Sequence, residues 1–461
     1  MTDLSELPQE IFKAYDIRGV VGETLTEAIV RDIGQAIGSE ARERQADTIV
    51  IGRDGRLSGP ALIDALASGL MASGCNVVDI GLAPTPVVYF AAFELNTQSA
   101  VALTGSHNPP SYNGLKMVIA GETLAGDRIQ ALRQRIERSD LLDGQGTRLE
   151  RSLTEAYIAR ICDDVKPARP LEIVIDCGNG VAGAVAPELY RRLGCEVTAL
   201  YCDVDGSFPN HHPDPSQVDN LEDLIRAVRQ NDAEVGLAFD GDGDRLGVVS
   251  PEGKVIWPDR QMILFARDVL KRQPGAEIIF DVKCSRNLAE AIREAGGRPV
   301  MWRTGHSFIK AKLKESGAAL AGEMSGHIFF KERWYGFDDG LYAGARLIEL
   351  LSRDERSTQR IFDELPDSYN TPELRIEMAE GEHFKFMEEL TQTANFSDAK
   401  VSTIDGVRVD FSDGFGLVRP SNTTPILVLR FEAETPDALE RIQKRFREWI
   451  LSTRPDVAVP M

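Results

Sequence analysis

One pattern occurs three times along the chain and restricts its fold more than any single motif. An apolar, β-branched run ends on an acid, a helical stretch follows, and a glycine introduces a second apolar run. The first copy is Ile49-Val50-Ile51-Gly52-Arg53-Asp54, a helix over 60–72, Gly74 and a run over 76–80. The second is Ile173-Val174-Ile175-Asp176, a helix over 184–193, Gly194 and a run over 196–201. The third is Ile278-Ile279-Phe280-Asp281, a helix over 286–295, Gly296-Gly297 and a run over 299–302. Short apolar strands alternating with helices read as βαβ units, because parallel strands need a crossover helix between them. Recurrence in the same order makes the copies related α/β domains. From about residue 366 the rhythm changes. Alternating stretches over 373–378 and 426–431 precede a helix over 436–451, which suggests an α+β unit. The expected domains are therefore 1–152, 153–254, 255–366 and 367–461. The chain length of 461 alone gives a prior of about three domains, at roughly 150 residues each.

Charge removes some partners. With 52 Lys+Arg against 72 Asp+Glu, the net charge is −20. Nucleic acid and anionic membrane surfaces would be repelled. An anionic substrate would need a local basic cluster to overcome that field. No stretch reaches the ~20 apolar residues that span a bilayer. Residues 1–10 carry acids and a proline, without the basic-then-apolar order of a signal peptide. Cys75, Cys162, Cys177, Cys195, Cys202 and Cys284 are scattered, with no C-x-x-C pair and several inside apolar runs. Buried, reduced thiols in a cytoplasmic protein are the expectation.

Four loops carry chemistry. Asp240-Gly241-Asp242-Gly243-Asp244-Arg245 lies between two apolar runs. Alternate acids separated by glycines can converge three carboxylates on one hard cation, and Arg245 could hold an anion beside it. An EF-hand loop is excluded, because its Gly and Glu positions are Arg245 and Pro251. Mg²⁺ is preferred if a phosphate shares the site. Thr104-Gly105-Ser106-His107-Asn108-Pro109-Pro110 follows the apolar run 100–103. It offers an exposed, stiffly held serine, an adjacent imidazole to move a proton, and a cation at Lys116; an ordinary turn is the competing reading. Gly322-Glu323-Met324-Ser325-Gly326-His327 combines acid, hydroxyl and imidazole suited to a polyol, or is simply another strand-end turn. Arg419-Pro420-Ser421-Asn422-Thr423-Thr424-Pro425 could cradle a phosphate. Gly178-Asn179-Gly180-Val181-Ala182-Gly183 fits a dinucleotide fingerprint, but Asp176 would place a carboxylate where the pyrophosphate lies.

Together with Ala14-Tyr15-Asp16-Ile17-Arg18-Gly19, these loops resemble the α-D-phosphohexomutase family, in its bacterial phosphomannomutase/phosphoglucomutase branch. The likeness covers nearly the whole chain, with the motifs in the expected order. It implies three α/β domains with mixed sheets and a C-terminal domain like the TATA-binding-protein fold, around a central cleft. It implies that Ser106 is a phosphoserine and that Mg²⁺ bridges it to Asp240, Asp242 and Asp244. Arg18, Lys116 and Arg245 would supply positive field, and His107 and Lys116 would be candidates to move the hydroxyl proton. Glu323 and Ser325 match a sugar-reading pair. Arg419, Ser421, Asn422 and Thr423 match a clamp on the non-reacting phosphate. His306, His327, Tyr15 and Lys283 complete the substrate contacts. The implied reaction passes a phosphoryl group between the 1- and 6-positions of mannose and glucose phosphates. It runs through a hexose 1,6-bisphosphate, with glucose 1,6-bisphosphate as activator and a cleft that closes on substrate. The implied enzyme is a monomer acting on small hexose phosphates. Two departures stand out. Thr424 stands where many relatives have Glu, and Met324 where the phosphoglucosamine branch usually has Gln. The alternatives are a phosphoglucosamine mutase and a catalytically silent sugar-phosphate-binding protein.

Overall fold

The computed structural model describes residues 7–422 and 424–461. The three sequence copies fold alike. In the first, Asn76–Leu82, Thr48–Arg53, Ala100–Leu103 and Tyr112–Ile119 lie side by side in that order. In the second the order is Glu196–Leu200, Glu172–Asp176, Val235–Phe239 and Leu246–Val249. In the third it is Arg298–Trp302, Glu277–Asp281, Leu320–Gly322 and Ile328–Phe330. Each copy thus sets its strands in the order second, first, third, fourth. The first three are parallel and the fourth returns antiparallel to the third. The sheets are therefore mixed, as the family likeness implies. The first also gains edge strands at Ile17–Val20 and Arg148–Glu150.

The central strands are buried on both faces, which is why they read as unbroken apolar runs. Helices cover them, such as Gly59–Ala72 and Thr85–Glu94 in the first copy. One apolar core runs through all three copies and includes Phe90, Ile175, Leu237, Phe280 and Leu341. The last unit differs. Its strands Tyr369–Asn370, Ile426–Ala433, Gly414–Pro420, Val407–Phe411 and Lys400–Ser402 form an antiparallel sheet, joined by Leu374–Glu377. Helices Glu382–Thr393 and Pro436–Thr453 pack on it around Phe386, Leu429 and Phe446. No helix among the described residues is long and apolar enough to cross a membrane.

The topology decides where chemistry can sit. In each α/β copy, the loop between the third and fourth strands projects from the same end of the sheet. Those three loops are the serine loop, the acidic loop and the Glu323–His327 loop.

Candidate active site

Ser106 sits with φ at 49°, an unusual backbone for a residue with a side chain. Its hydroxyl donates to Asp240 Oδ2 at 2.9 Å and lies 3.2 Å from His107 Nδ1. The loop is held from below by two residues that motif reading passes over. Asp54 Oδ2 accepts the Thr104 hydroxyl and the Gly105 N–H at 2.8 and 3.0 Å. Arg56, only 1% exposed, donates to Asp54 and to the carbonyls of Ser106, Asn108, Pro109 and Tyr112. The available signal was the repeat itself, since Arg56 follows the strand-ending acid of the first copy by two residues.

Asp240, Asp242 and Asp244 are fully buried, and one oxygen of each lies within 4.8 Å of the others. Gly241 permits this approach, because a Cβ there would stand 2.3 Å from the Ser106 carbonyl oxygen. Lys116 Nζ donates to Asp242 Oδ2 at 2.8 Å and to Asp244 Oδ2 at 2.5 Å. Thr85 adds its hydroxyl to Asp242 Oδ2 at 2.6 Å. Burial opposes the charge on Lys116, but the two aspartates outweigh it and hold the ammonium well above its ordinary pKa. Burial and its two neighbours push Asp240 well above the carboxylate range. The Oδ1 atom of Asp242 is buried without a hydrogen-bond partner among the described residues, and that of Asp244 faces His327 Nε2 at 3.3 Å. Convergent carboxylates, one with an unsatisfied oxygen, are what a hard cation would complete, so these residues fit Mg²⁺.

Arg245 and His327 join the acidic loop to the third loop. Leu246 N–H donates to the Gly326 carbonyl at 3.1 Å, and Arg245 Nε lies 3.3 Å from His327 Nε2. His327 Nε2 lies 3.3 Å from Asp244, and Nδ1 lies 3.2 Å from Glu323 and 2.9 Å from Ser325. Burial opposes a proton on this ring, but Asp244 outweighs it and raises the pKa to about 9. His306, its ring 5.6 Å from that of His327, is held well below its usual value by burial and then by Lys310. The Glu323 carboxylate accepts the Gly305 N–H at 2.5 Å.

The last unit reaches this cluster from the opposite side. Arg419 Nε donates to Asp405 at 2.9 Å, and one terminal nitrogen is buried without a partner among the described residues. Ser421 and Thr424 hydroxyls lie 3.0 Å apart. Asn422 donates to the Tyr15 hydroxyl, which itself donates to the Thr304 carbonyl at 3.2 Å. Lys283 is paired with Glu373 at 2.8 Å. Arg18 meets Asp16 at 2.5 Å and, with the amide turned to accept, the Asn108 side-chain oxygen at 2.8 Å. Thr423 lies outside the described residues. Ser106, His107, Lys116, the three aspartates, Arg245, His306, Glu323, Ser325 and His327 thus form one continuous cluster. Tyr15, Asn422 and Arg419 join it through the loop at Thr304. Lys283 and Arg18 are engaged by other carboxylates.

The dinucleotide-like turn is committed elsewhere. Gly178 N–H donates to Asp176, Gly180 N–H to the Cys177 carbonyl and Val181 N–H to the Gly241 carbonyl. The first two close the turn on itself, the third braces the acidic loop, and none is presented to a pyrophosphate.

Comparison with known proteins gives matches along the whole chain. Models described as phosphoglucomutase/phosphomannomutase, alpha/beta/alpha domains I, II and III, match residues 9–143, 155–253 and 257–369. The C-terminal domain model of the same family matches residues 373–448. A Pseudomonas aeruginosa protein called phosphomannomutase/phosphoglucomutase is 56% identical over 98% of each chain. A Neisseria gonorrhoeae phosphoglucomutase is 54% identical, covering 99% of this chain and all of its own. A crystal structure of a phosphoglucomutase/phosphomannomutase family protein from Burkholderia thailandensis superposes with a TM-score of 0.94. It is 52% identical and covers 99% of this chain and 100% of its own.

Proposed function

The chain belongs to the phosphoglucomutase/phosphomannomutase family, and from that premise we propose that Ser106 carries a phosphoryl group between the 1- and 6-positions of its substrates. The protein is an isomerase acting on mannose and glucose phosphates. Its sequence of steps is our reading. The Oγ–P bond of phosphorylated Ser106 breaks as a free hydroxyl of the bound hexose phosphate attacks phosphorus. The hydroxyl proton passes to a cleft base; of the two candidates, burial keeps His107 neutral and able to accept, whereas Asp242 and Asp244 hold Lys116 as an ammonium. The hexose 1,6-bisphosphate then turns over in the cleft and returns its other phosphoryl group to Ser106. Such transfer needs alignment and charge stabilisation more than covalent assistance.

Asp240, Asp242 and Asp244, with Ser106, would hold Mg²⁺, which when bound neutralises charge on the transferring oxygens. Arg18, Lys116 and Arg245 add fixed positive charge. Glu323 and Ser325 read the sugar hydroxyls, with His306, His327, Lys283 and Tyr15 around them. Arg419, Ser421, Asn422 and Thr423 hold the phosphate that is not reacting. Glucose 1,6-bisphosphate primes Ser106. A cytoplasmic monomer, with domain limits after residues 152, 254 and 366, belongs to the same proposal.

The observation that carries the reading is the Ser106 hydroxyl, buried and 2.9 Å from Asp240. The test is a substrate panel with Mg²⁺ and catalytic glucose 1,6-bisphosphate. Mannose and glucose 1-phosphates should turn over well, and glucosamine 1-phosphate poorly. A preference for the amino sugar would overturn the specificity. Intact mass should show an adduct of about 80 Da on Ser106. Full activity in Ser106→Ala would overturn the mechanism.

A further inference from the structure

We propose that Asp405 is a positioning residue that orients the phosphate-binding Arg419 and latches the last unit onto the loop serving the sugar. The inference rests on the reading of Arg419 as a phosphate ligand. Asp405 lies in the turn between strands Lys400–Ser402 and Val407–Phe411. Gly406 follows it at φ 73°. A Cβ there would fall 2.2 Å from the Val418 carbonyl oxygen and 2.5 Å from the Arg419 Cα. The turn is therefore pressed against the strand at the point where the Arg419 side chain begins.

One carboxylate oxygen of Asp405 then serves two units. It accepts Arg419 Nε at 2.9 Å and the Thr304 N–H at 3.0 Å. Thr304 belongs to the third unit, where it is tied to Asp281 through its hydroxyl and to Tyr15 through its carbonyl. The next N–H, of Gly305, donates to Glu323. A carboxylate holding Arg419 by Nε fixes the plane of the guanidinium, and one of its terminal nitrogens stays buried with no partner among the described residues. A planar fork held in this way is ready to meet phosphate oxygens. The same oxygen gives the Thr304 N–H an acceptor only when the last unit is in place. Clamp geometry and domain contact are thereby joined in a single side chain.

The test compares wild type with Asp405→Asn in steady-state turnover of glucose 1-phosphate and in calorimetric binding of glucose 1,6-bisphosphate. Losing a charge-assisted hydrogen bond should raise KM and weaken bisphosphate binding by about tenfold or more. With the chemistry at Ser106 untouched, kcat should stay within about threefold. Asp405→Glu should recover part of the loss. Gly406→Ala, which displaces the turn and leaves both charges, should give the same split. Coupling predicts that Asp405→Asn adds little on top of Arg419→Lys. Equal bisphosphate binding by wild type and Asp405→Asn, or additive losses in the double variant, would overturn the proposal. An inactive wild type that still loses bisphosphate affinity on Asp405→Asn would count against the proposed reaction and not against the latch.

Discussion

At Arg56 a single buried side chain supports the whole serine loop, through Asp54 and four backbone carbonyls. Replacing it by Met removes the side-chain donors to four carbonyls and leaves the buried Asp54 carboxylate without its counter-charge. Breaking a buried pair of this kind costs about 3–5 kcal/mol, which urea unfolding should reveal alongside loss of turnover. Lys should rescue only in part, since one ammonium cannot span those acceptors. His211 gives a pH signature. Its Nε2 lies 3.0 Å from Asp176, and although burial opposes the charge, Asp176 raises the pKa above its ordinary value. Stability from this pair is therefore present below about pH 6.5 and fades as pH climbs through the raised value. His211→Gln should lose about 1–2 kcal/mol near pH 6 and little at pH 9, as read from denaturant midpoints. Ser106 and the three aspartates were legible because each lies within a motif of a few residues. Thr85 was not, because its partner Asp242 is 157 positions away. Asp405 and Glu373 are hidden for the same reason.

Among the elements, equivalence across the three α/β copies organises the cleft. The loop after the third strand bears Ser106 in the first copy, the three acids in the second and the Glu323–His327 groups in the third. The acid ending each first strand braces turns beside the cleft. Asp54 holds Gly105, Asp176 holds Gly178 and His211, and Asp281 accepts the Met324 N–H at 3.2 Å. The repeat in the sequence pointed to these acids, though not to what they hold. Gly241→Ala should wedge the acidic loop from the serine loop. Misplacement by about 1 Å costs about a hundredfold in turnover, so kcat should fall by that order while the overall fold, followed by circular dichroism, persists. Apolar runs identified the central strands, but the edge strand Arg148–Glu150 is exposed throughout, with Leu149 at 61%. Nothing in those three residues marks a strand; pairing with Asn76–Leu82 creates it.

For the whole molecule, cohesion is uneven. The first three units share a core, to which the first adds a second of its own, whereas no described residue of the fourth enters the shared one. It meets the third through a small cluster of Val282, Phe415 and Leu417. Polar bonds surround that patch, among them Arg408 to the Val282 and Cys284 carbonyls at 2.6 and 2.7 Å and Ser285 to Glu432 at 2.7 Å. So small an apolar seam lets the fourth unit move as a body. Solution scattering should show compaction when glucose 1,6-bisphosphate is added, and an unchanged profile would contradict it. The family likeness implied closure; the contrast in cores could be seen only once side chains from distant segments were brought together.

Three matching loop positions in one chain have a consequence for symmetry. Three separate copies of one such unit, arranged in a ring, could offer a common pocket only three identical loops. Linking the copies covalently releases each from resembling its neighbours. One can then carry the serine, one the three acids and one the Glu323–His327 groups, a division of labour closed to any ring of identical subunits.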